Sequence, residues 1–374
     1  MRGVVVLLAC VASLTACDSR SAVITCSWDA PKLVGRGIGP SIVMSGASAV
    51  LAFDNPSAGL ISVLFDPGGP AEVRETIPRD PNVWPSDARL HRANGALQLV
   101  GCVHQYVGLQ RLERTHDGWN EEARGVRLRQ GGSTSTADRL LVHGYEMGSP
   151  QTALAINTWE GGSWSLSEIP DLCFFMADPM SPWDRIEYAV GVDGATAQVA
   201  TACTRGHYRD LMLWAPQAAG WVGRVVQQDV TRSCPGSYPV LPRQGCCDRL
   251  AYVSDLSSTD MHFRRTIRVA TRSGESWTTT DVGPAFVKQE PRPTAMAVVA
   301  GTTHLAVLRD NSVVVYSDAG DGWQEQRFEA GAKPVSADLV VDEQGAVHLV
   351  YGIEGANGDL NSIYYAHQTC QLAH

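Results

Sequence analysis

Short runs of alternating apolar and polar residues recur along this chain and are separated by turns rich in glycine. They are clearest near the C-terminal end, where TAMAVVA, HLAVLRD, SVVVYSD and WQEQRFE follow one another. Alternation with a period of two places one face of a strand in a core and the other face in solvent. The pattern therefore predicts an all-β protein made of many short strands.

Tryptophans mark a repeat within these runs. In each repeat a Trp opens a polar run after a glycine-containing turn, at Trp119, Trp164, Trp221, Trp277 and Trp323, with spacings of 45, 57, 56 and 46 residues. Because each period holds about four strand-like runs, we expect radial packing as a β-propeller. We predict seven blades, which begin near residues 38, 85, 133, 183, 237, 292 and 335, with six or eight blades as alternatives.

The last period lacks its fourth strand. SADLVVDEQG, AVHLVYG and SIYYAHQ run almost to the C-terminus, and the N-terminal stretch SWDAPKLV has the pattern of the missing strand. Pairing of the two chain ends would protect a sheet edge that is otherwise open to other chains. Cys26 lies beside that stretch and Cys370 follows YYAH, so we expect a Cys26–Cys370 disulfide unless either cysteine bonds elsewhere.

The first residues have the features of an export signal. Arg2 precedes an apolar run over residues 4–14, which is shorter than the about 20 residues that span a bilayer. The run ends in L-T-A-C, which resembles the bacterial lipobox and implies cleavage before Cys17 and acylation of that cysteine. We expect a signal peptide at 1–16, lipidated Cys17 with a tether at 17–22, and the propeller at 23–374. An ordinary cleaved signal is the alternative.

The composition fits an exported protein. The net charge of −9 becomes −10 when the signal and its Arg2 are removed, and no Lys/Arg run is present. We therefore expect no binding to nucleic acid, which depends on neutralising phosphates. Eight cysteines remain beside Cys10 and Cys17, and an even number in an oxidising compartment predicts disulfides. Besides Cys26 and Cys370, the candidates for local pairs are Cys173 with Cys203, and Cys234 with Cys246 or Cys247.

One of the Trp-containing turns, SDAGDGW, has Ser317, Asp318 and Gly320 before Trp323. It resembles the BNR or Asp-box repeat of sialidase-type propellers, and TRSGESW and THDGW resemble it less completely. The resemblance implies turns on the outer rim that are structural. A sialidase also needs three arginines, a Tyr nucleophile with its Glu, and an acidic Asp, and this set cannot be assigned here.

Two sets of residues are candidates for a binding site. Carboxylates near the start of the innermost strands would surround the mouth of a central channel, at Asp87, Asp138, Asp184 and Asp338. Aromatic residues in the connections that lead into those strands would share one face, at Trp84, Phe174, Phe175, Trp183, Tyr238 and Phe286. The carboxylates could instead cap loops or pair with neighbouring arginines, and the aromatic residues could instead plug the channel. No spacing typical of a metal site or a cofactor site is present.

These observations favour a monomeric envelope lipoprotein that is held to the membrane by its N-terminal lipid. We expect a non-catalytic propeller that binds or scaffolds a glycan or a protein partner, in the periplasm or at the cell surface. A glycan-active hydrolase of the sialidase type is one alternative, and an envelope protein-assembly scaffold is another. The fold by itself does not decide between them.

Overall fold

The computed structural model describes most of the chain, and the structural statements below concern those residues. They are 24–67, 69–78, 89–103, 108–124, 128–135, 139–146, 154–169, 188–193, 196–205, 208–218, 220–231, 238–245, 248–257, 264–287, 291–356 and 359–372.

The described residues form twenty-seven β-strands and no α-helix, as the alternating pattern predicts. The first nine strands are β1 (Ile24–Trp28), β2 (Lys32–Ser45), β3 (Ser48–Asn55), β4 (Leu60–Phe65), β5 (Val73–Pro78), β6 (Arg89–Ala93), β7 (Ala96–Val103), β8 (Gly108–Thr115) and β9 (Gly118–Arg124). The next nine are β10 (Leu128–Ser135), β11 (Leu140–Glu146), β12 (Leu154–Glu160), β13 (Ser163–Ile169), β14 (Tyr188–Asp193), β15 (Thr196–Arg205), β16 (Tyr208–Gln217), β17 (Gly220–Thr231) and β18 (Arg249–Ser257). The last nine are β19 (Arg264–Ser273), β20 (Ser276–Val287), β21 (Arg292–Val299), β22 (Thr302–Arg309), β23 (Ser312–Asp318), β24 (Trp323–Glu329), β25 (Pro334–Val341), β26 (Val347–Ile353) and β27 (Asn361–Leu372). In this part of the chain no helix is long and apolar enough to cross a membrane.

Consecutive strands pair as antiparallel meanders. The described strands form six sheets, with the orders β6-β7-β8-β9, β10-β11-β12-β13, β14-β15-β16-β17, β18-β19-β20, β21-β22-β23-β24, and an eight-stranded sheet β25-β26-β27-β2-β3-β4-β5 with β1 added on β27. Successive sheets meet through their first strands, since β2 contacts both β25 and β6, and β10 contacts both β6 and β14. This is the radial arrangement of a β-propeller, as the repeat predicts.

The long strand β2 joins the two ends of the chain. Its first half pairs with β27, from Lys32 opposite Tyr365 to Gly37 opposite Asn361, and its second half pairs with β3. β1 extends the same edge of β27 from Ile24 opposite Leu372 to Trp28 opposite Gln368. The N-terminal segment thus supplies the strand that the last period lacks.

The backbone register supports a disulfide at this closure. Cys26 lies directly opposite Cys370 across β1 and β27, and Cys26 is disulfide-bonded. Directly opposed residues of antiparallel strands have Cα atoms about 4.5–5.5 Å apart, which falls within the range of disulfides. We retain the Cys26–Cys370 pair as a proposal, because the side chain of Cys370 lies outside the described set.

Apolar side chains fill the spaces between neighbouring sheets. Seven buried clusters can be described, and each one joins side chains from two successive sheets or from the two halves of the eight-stranded sheet. One of them closes the cycle, because Leu51 and Phe53 of β3 pack there with Val350 of β26 and Ile363 of β27. The hydrophobic core of the described residues therefore consists of separate clusters that follow one another around a ring.

The tryptophans of the repeat lie at the start of the outermost strands. Trp119, Trp164, Trp221, Trp277 and Trp323 are partly buried, and each packs on a different cluster between sheets. In the turn before Trp323, Asp318 Oδ1 accepts hydrogen bonds from the N–H groups of Gly320 (2.8 Å) and Gly322 (3.2 Å). These hydrogen bonds stabilise this turn at the outer rim of the ring.

Candidate functional site at the propeller axis

A buried polar cluster lies where the first strands converge. The segment 238–245 crosses this region and is held by backbone hydrogen bonds on two sides. Val240 exchanges two bonds with Ala251 of β18 (2.8 and 3.0 Å), Arg243 N–H donates to Met296 of β21 (2.9 Å), and the side chain of Gln244 bonds both backbone groups of Val341 in β25 (2.7 and 2.9 Å). The segment thereby carries the Arg243 side chain to the axis.

Asp338 of β25 is the anionic centre of the cluster and is fully buried. Its Oδ2 accepts hydrogen bonds from Arg243, from Ile42 N–H (3.2 Å) and from Ser41 Oγ (3.3 Å). Arg243 also donates from Nη2 to the Leu90 carbonyl (3.2 Å). Because these groups come from β2, β6, β25 and the axial segment, the ion pair ties several sheets together.

His91 of β6 lies beside this ion pair and is 1% exposed. Its Nε2 is 2.6 Å from Ser133 Oγ and its Nδ1 is 3.2 Å from Ser135 Oγ, both in β10. Burial holds the pKa of His91 well below its ordinary value, and the positive charges of Arg243 and Arg89 lower that pKa further. His91 is therefore neutral at physiological pH.

A second histidine pairs with a tyrosine across two sheets. His143 Nδ1 of β11 lies 3.3 Å from Tyr188 Oη of β14, and the two rings meet edge to face at 5.3 Å. Burial, together with the charge of Arg89, lowers the pKa of His143 to about 3. A neutral imidazole hydrogen-bonded to a phenol can pass a proton in either direction.

Arg89 is the most exposed charged group of the cluster. Its side chain is 36% exposed and its Nη1 lies 4.0 Å from Asp338 Oδ2, a carboxylate that Arg243 already occupies. With both histidines neutral, two guanidinium groups face one carboxylate. Among the described residues of this cluster the guanidinium groups thus exceed the carboxylates by one charge, and Arg89 can present that charge to an anionic ligand.

The residues expected from the sequence are distributed differently. Asp338 lies at the axis, fully buried in an ion pair with Arg243. Tyr238 is partly buried, and the guanidinium of Arg292 lies 5.2 Å from its ring centroid. The expectation that Phe286 belongs to an exposed face is wrong, because β20 continues through it and places its ring, 3% exposed, in the core against β21–β24.

Other expected residues cannot be placed. Trp84, Phe174, Phe175, Trp183, Asp87, Asp138, Asp184, Cys17, Cys173, Cys234, Cys246 and Cys247 lie outside the described residues. For Cys203 the backbone alone is described, in β15. Within the ranges that can be described, no group of three or more His, Cys, Asp or Glu side chains is placed to hold a metal ion.

Sequence reasoning missed His91, His143, Tyr188 and Arg243. No spacing could identify them, because Arg243 and Asp338 are 95 residues apart and His143 and Tyr188 are 45 residues apart. The available signal was a histidine at an otherwise apolar position of a strand near the axis, as in RLHRA and LLVHGYE.

No protein-family model and no curated protein matches the chain. Similar solved structures include a polysaccharide lyase, an ulvan lyase bound to -[GlcA(1-4)Rha3S]-, with a TM-score of 0.54, 10% identity, and coverage of 90% of this chain and 94% of that chain. The propeller domain of the Trilobed protease from Pyrococcus furiosus has a TM-score of 0.52, 10% identity, and coverage of 92% and 97%. An acylaminoacyl peptidase from Pyrococcus horikoshii has a TM-score of 0.52 and 12% identity, with 90% of this chain matching 52% of that one. Likeness at this identity shows the β-propeller fold.

Proposed function

We propose that the protein is a glycan-active enzyme with its site at the propeller axis. The observation that carries the proposal is the His143–Tyr188 hydrogen bond close to Arg89. A proton-transferring pair beside an exposed cation supplies two parts of a catalytic site, namely acid–base chemistry and stabilisation of negative charge.

The charge at the axis favours an acidic sugar as substrate. A guanidinium can bind a carboxylate through two parallel hydrogen bonds, and Arg89 is the exposed member of a cluster with excess positive charge. The similar ulvan lyase, which is bound to a chain containing GlcA, supports a glycan role for such a ring. In our proposal Arg89 neutralises the carboxylate of the bound sugar.

The same residues favour eliminative cleavage over hydrolysis. Most glycoside hydrolases use two carboxylates that flank the bond. The described carboxylate at this axis is Asp338, which is fully buried and held by hydrogen bonds. In an elimination, the pair removes the proton next to the carboxylate, a carbon–carbon double bond forms, and the bond to the leaving sugar oxygen breaks. The His143–Tyr188 pair delivers a proton to that oxygen in place of the one it removed, so the pair returns to its starting state and no water is consumed.

The experiment is an assay of the intact protein on acidic and neutral polysaccharides, following ultraviolet absorbance from the double bond and new reducing ends separately. We expect both signals on an acidic chain, and loss of both in Tyr188→Phe and Arg89→Gln. Tyr364→Phe and Arg327→Gln are matched controls, because they lie in β27 and β24, away from the axis. Reducing ends without the absorbance would indicate hydrolysis.

A non-catalytic module that binds or scaffolds a glycan or protein partner is the second candidate. It is favoured by the burial of both histidines, which are 1% and 8% exposed and could serve packing alone. An envelope-assembly scaffold is the protein-binding form of this candidate. Binding of an acidic chain without turnover in the same assay would support it.

We also propose that the ring has seven blades and is anchored at the cell envelope. Division of the eight-stranded sheet within β2 gives seven units, which agrees with the seven clusters between sheets. The anchor is the lipid on Cys17, after removal of residues 1–16. Labelling with a radioactive fatty acid tests it, since Cys17→Ser should remove the label and release the protein from membranes.

A further inference from the structure

The imidazole of His91 is buried at the axis but has no part in the proposed proton transfer. It lies between two serine hydroxyls of β10, with Nε2 2.6 Å from Ser133 Oγ and Nδ1 3.2 Å from Ser135 Oγ. β6, which carries His91, and β10 are the first strands of two different sheets, so they are not joined by strand pairing. The imidazole therefore links two neighbouring sheets through its side chain.

The protonation state of His91 suits this link. A neutral imidazole has one N–H donor and one acceptor nitrogen, so it donates to one serine hydroxyl and accepts from the other. Burial holds the pKa of His91 well below its ordinary value, and the charges of Arg243 and Arg89 lower that pKa further. Both nitrogens are thus bonded without placing a charge between the sheets.

The first of the two linked strands also carries the exposed cation of the site. Arg89 and His91 are two residues apart on β6, so their side chains leave the same face of the strand. The charge of Arg89 lowers the pKa of both His91 and His143, so its guanidinium lies within electrostatic reach of both rings. A shift of β6 would therefore move the guanidinium that binds the sugar carboxylate in our proposed function.

The second linked strand supports the proton-transferring pair. Gly132, which precedes Ser133, lies directly opposite His143 in the pairing of β10 with β11. Because successive residues of a strand point to opposite faces, Ser133 faces His91 while its neighbours face the other way. Tyr188 of β14 bonds His143 across the next pair of sheets. β10 thus supports the strand that holds the proton-transferring imidazole.

We propose that His91 is a positioning residue that fixes Arg89 relative to the His143–Tyr188 pair. In the proposed elimination the sugar carboxylate lies on Arg89, and the proton next to it must meet the pair, so one substrate bridges groups from different sheets. An error of about 1 Å in such a placement can lower a rate ~100-fold. His91 itself exchanges no proton with the substrate in this role, which rests on the proposed function.

The test is the steady-state kinetics of elimination by His91→Leu, measured as a function of pH. We expect kcat to fall about 10- to 100-fold and KM to change less than about twofold, because Arg89 still binds the carboxylate. The pH profile of kcat should keep its shape. A profile that loses one limb would assign proton transfer to His91 and overturn the positioning role.

His304→Leu is the matched control. His304 is also buried and lies 2.8 Å from a serine hydroxyl, that of Ser317, but it belongs to the second strand of another sheet. We expect it to leave kcat unchanged. An equal loss of kcat in His304→Leu would show a general effect of removing a buried histidine and would overturn the proposal.

Two further variants separate positioning from folding. The amide of His91→Gln also offers a donor and an acceptor, so we expect it to restore part of kcat relative to His91→Leu. If His91→Leu does not fold, Ser133→Ala with Ser135→Ala removes the same two hydrogen bonds at half-buried positions and should lower kcat in the same way.

The chemical shifts of the His143 ring nitrogens, measured by NMR, give a readout that needs no substrate. We expect them to change in His91→Leu and to stay unchanged in His304→Leu. An unchanged kcat in His91→Leu would overturn the positioning role and leave the proposed function standing. A wild-type protein that cleaves no acidic chain would overturn the proposed function, and the positioning role with it.

Discussion

At the axis, Asp338 is fully buried and accepts hydrogen bonds from residues far away in the chain, whereas at the rim Asp318 accepts two N–H groups within its own turn. Both are aspartates of strands, Asp338 in the middle of β25 and Asp318 at the end of β23. One joins several sheets and the other closes one hairpin. The comparison teaches that the repeated rim is stabilised locally, while the axis depends on contacts that no repeat encodes.

The largest expected effect tests the axial ion pair. Asp338→Ala leaves Arg243, whose side chain is 16% exposed, without its carboxylate, and we expect a loss of ~3–5 kcal/mol in the free energy of unfolding. Chemical denaturation measures it. The double variant Asp338→Leu with Arg243→Met should recover part of the loss, because it removes both charges. A loss below about 1 kcal/mol would mean that the axial ion pair contributes no more to stability than an exposed interaction at the rim.

Two glycines with positive φ, one at the axis and one at the rim, differ in the space that is available for a Cβ. Gly245 at the axis has φ +93°, and a Cβ there would overlap the carbonyl oxygen of Val298. Gly301 in a rim hairpin has φ +82°, with open space around it. We expect Gly245→Ala to cost ~3 kcal/mol and Gly301→Ala ~1 kcal/mol by denaturation. Equal losses of unfolding free energy in the two variants would show that the segment 238–245 can shift to make room for the added Cβ.

The pH dependence of stability on the acid side should come from buried histidines, two of which lie at the axis, while His304 of β22 and His348 of β26, whose pKa values burial also lowers, add to it. The native pKa values of His91 and His143 lie below the ordinary value, so below about pH 6.5 the unfolded chain binds protons that the folded chain does not. Stability therefore falls as the pH drops from about 6.5 toward 3, by up to roughly 1.4 kcal/mol per unit for each residue. Urea denaturation across this range measures the slope.

Replacement of the histidines separates the two regions. His143→Gln should reduce the slope, because it removes one of the groups whose pKa falls on folding. His116→Gln is the control, since that side chain lies in a rim turn and is 93% exposed. If His143→Gln leaves the slope of unfolding free energy against pH unchanged, the axis is hydrated enough for His143 to be protonated in the folded protein.

Much of the ring could be predicted from the sequence, because its strands alternate and its turns carry Trp. The predicted starts near 292 and 335 match β21 and β25, and SWDAPKLV indeed lies along β27. The axial site could not be predicted, because its contacts depend on how separate sheets are brought together. Phe286 shows that a strand can be mistaken for a connection in the sequence. β20 extends for twelve residues through a segment that looked like a connection.

The smallest expected effect lies at the rim. Asp318→Ala removes an acceptor for Gly320 and Gly322, but both N–H groups are exposed and can bond to water instead. We expect a loss of about 1 kcal/mol in the free energy of unfolding and no change in activity. Asp321→Ala, at an exposed position of the same turn, should cost less. A loss as large as that of Asp338→Ala would show that this turn also supports neighbouring blades, and the division between a local rim and a long-range axis would fail.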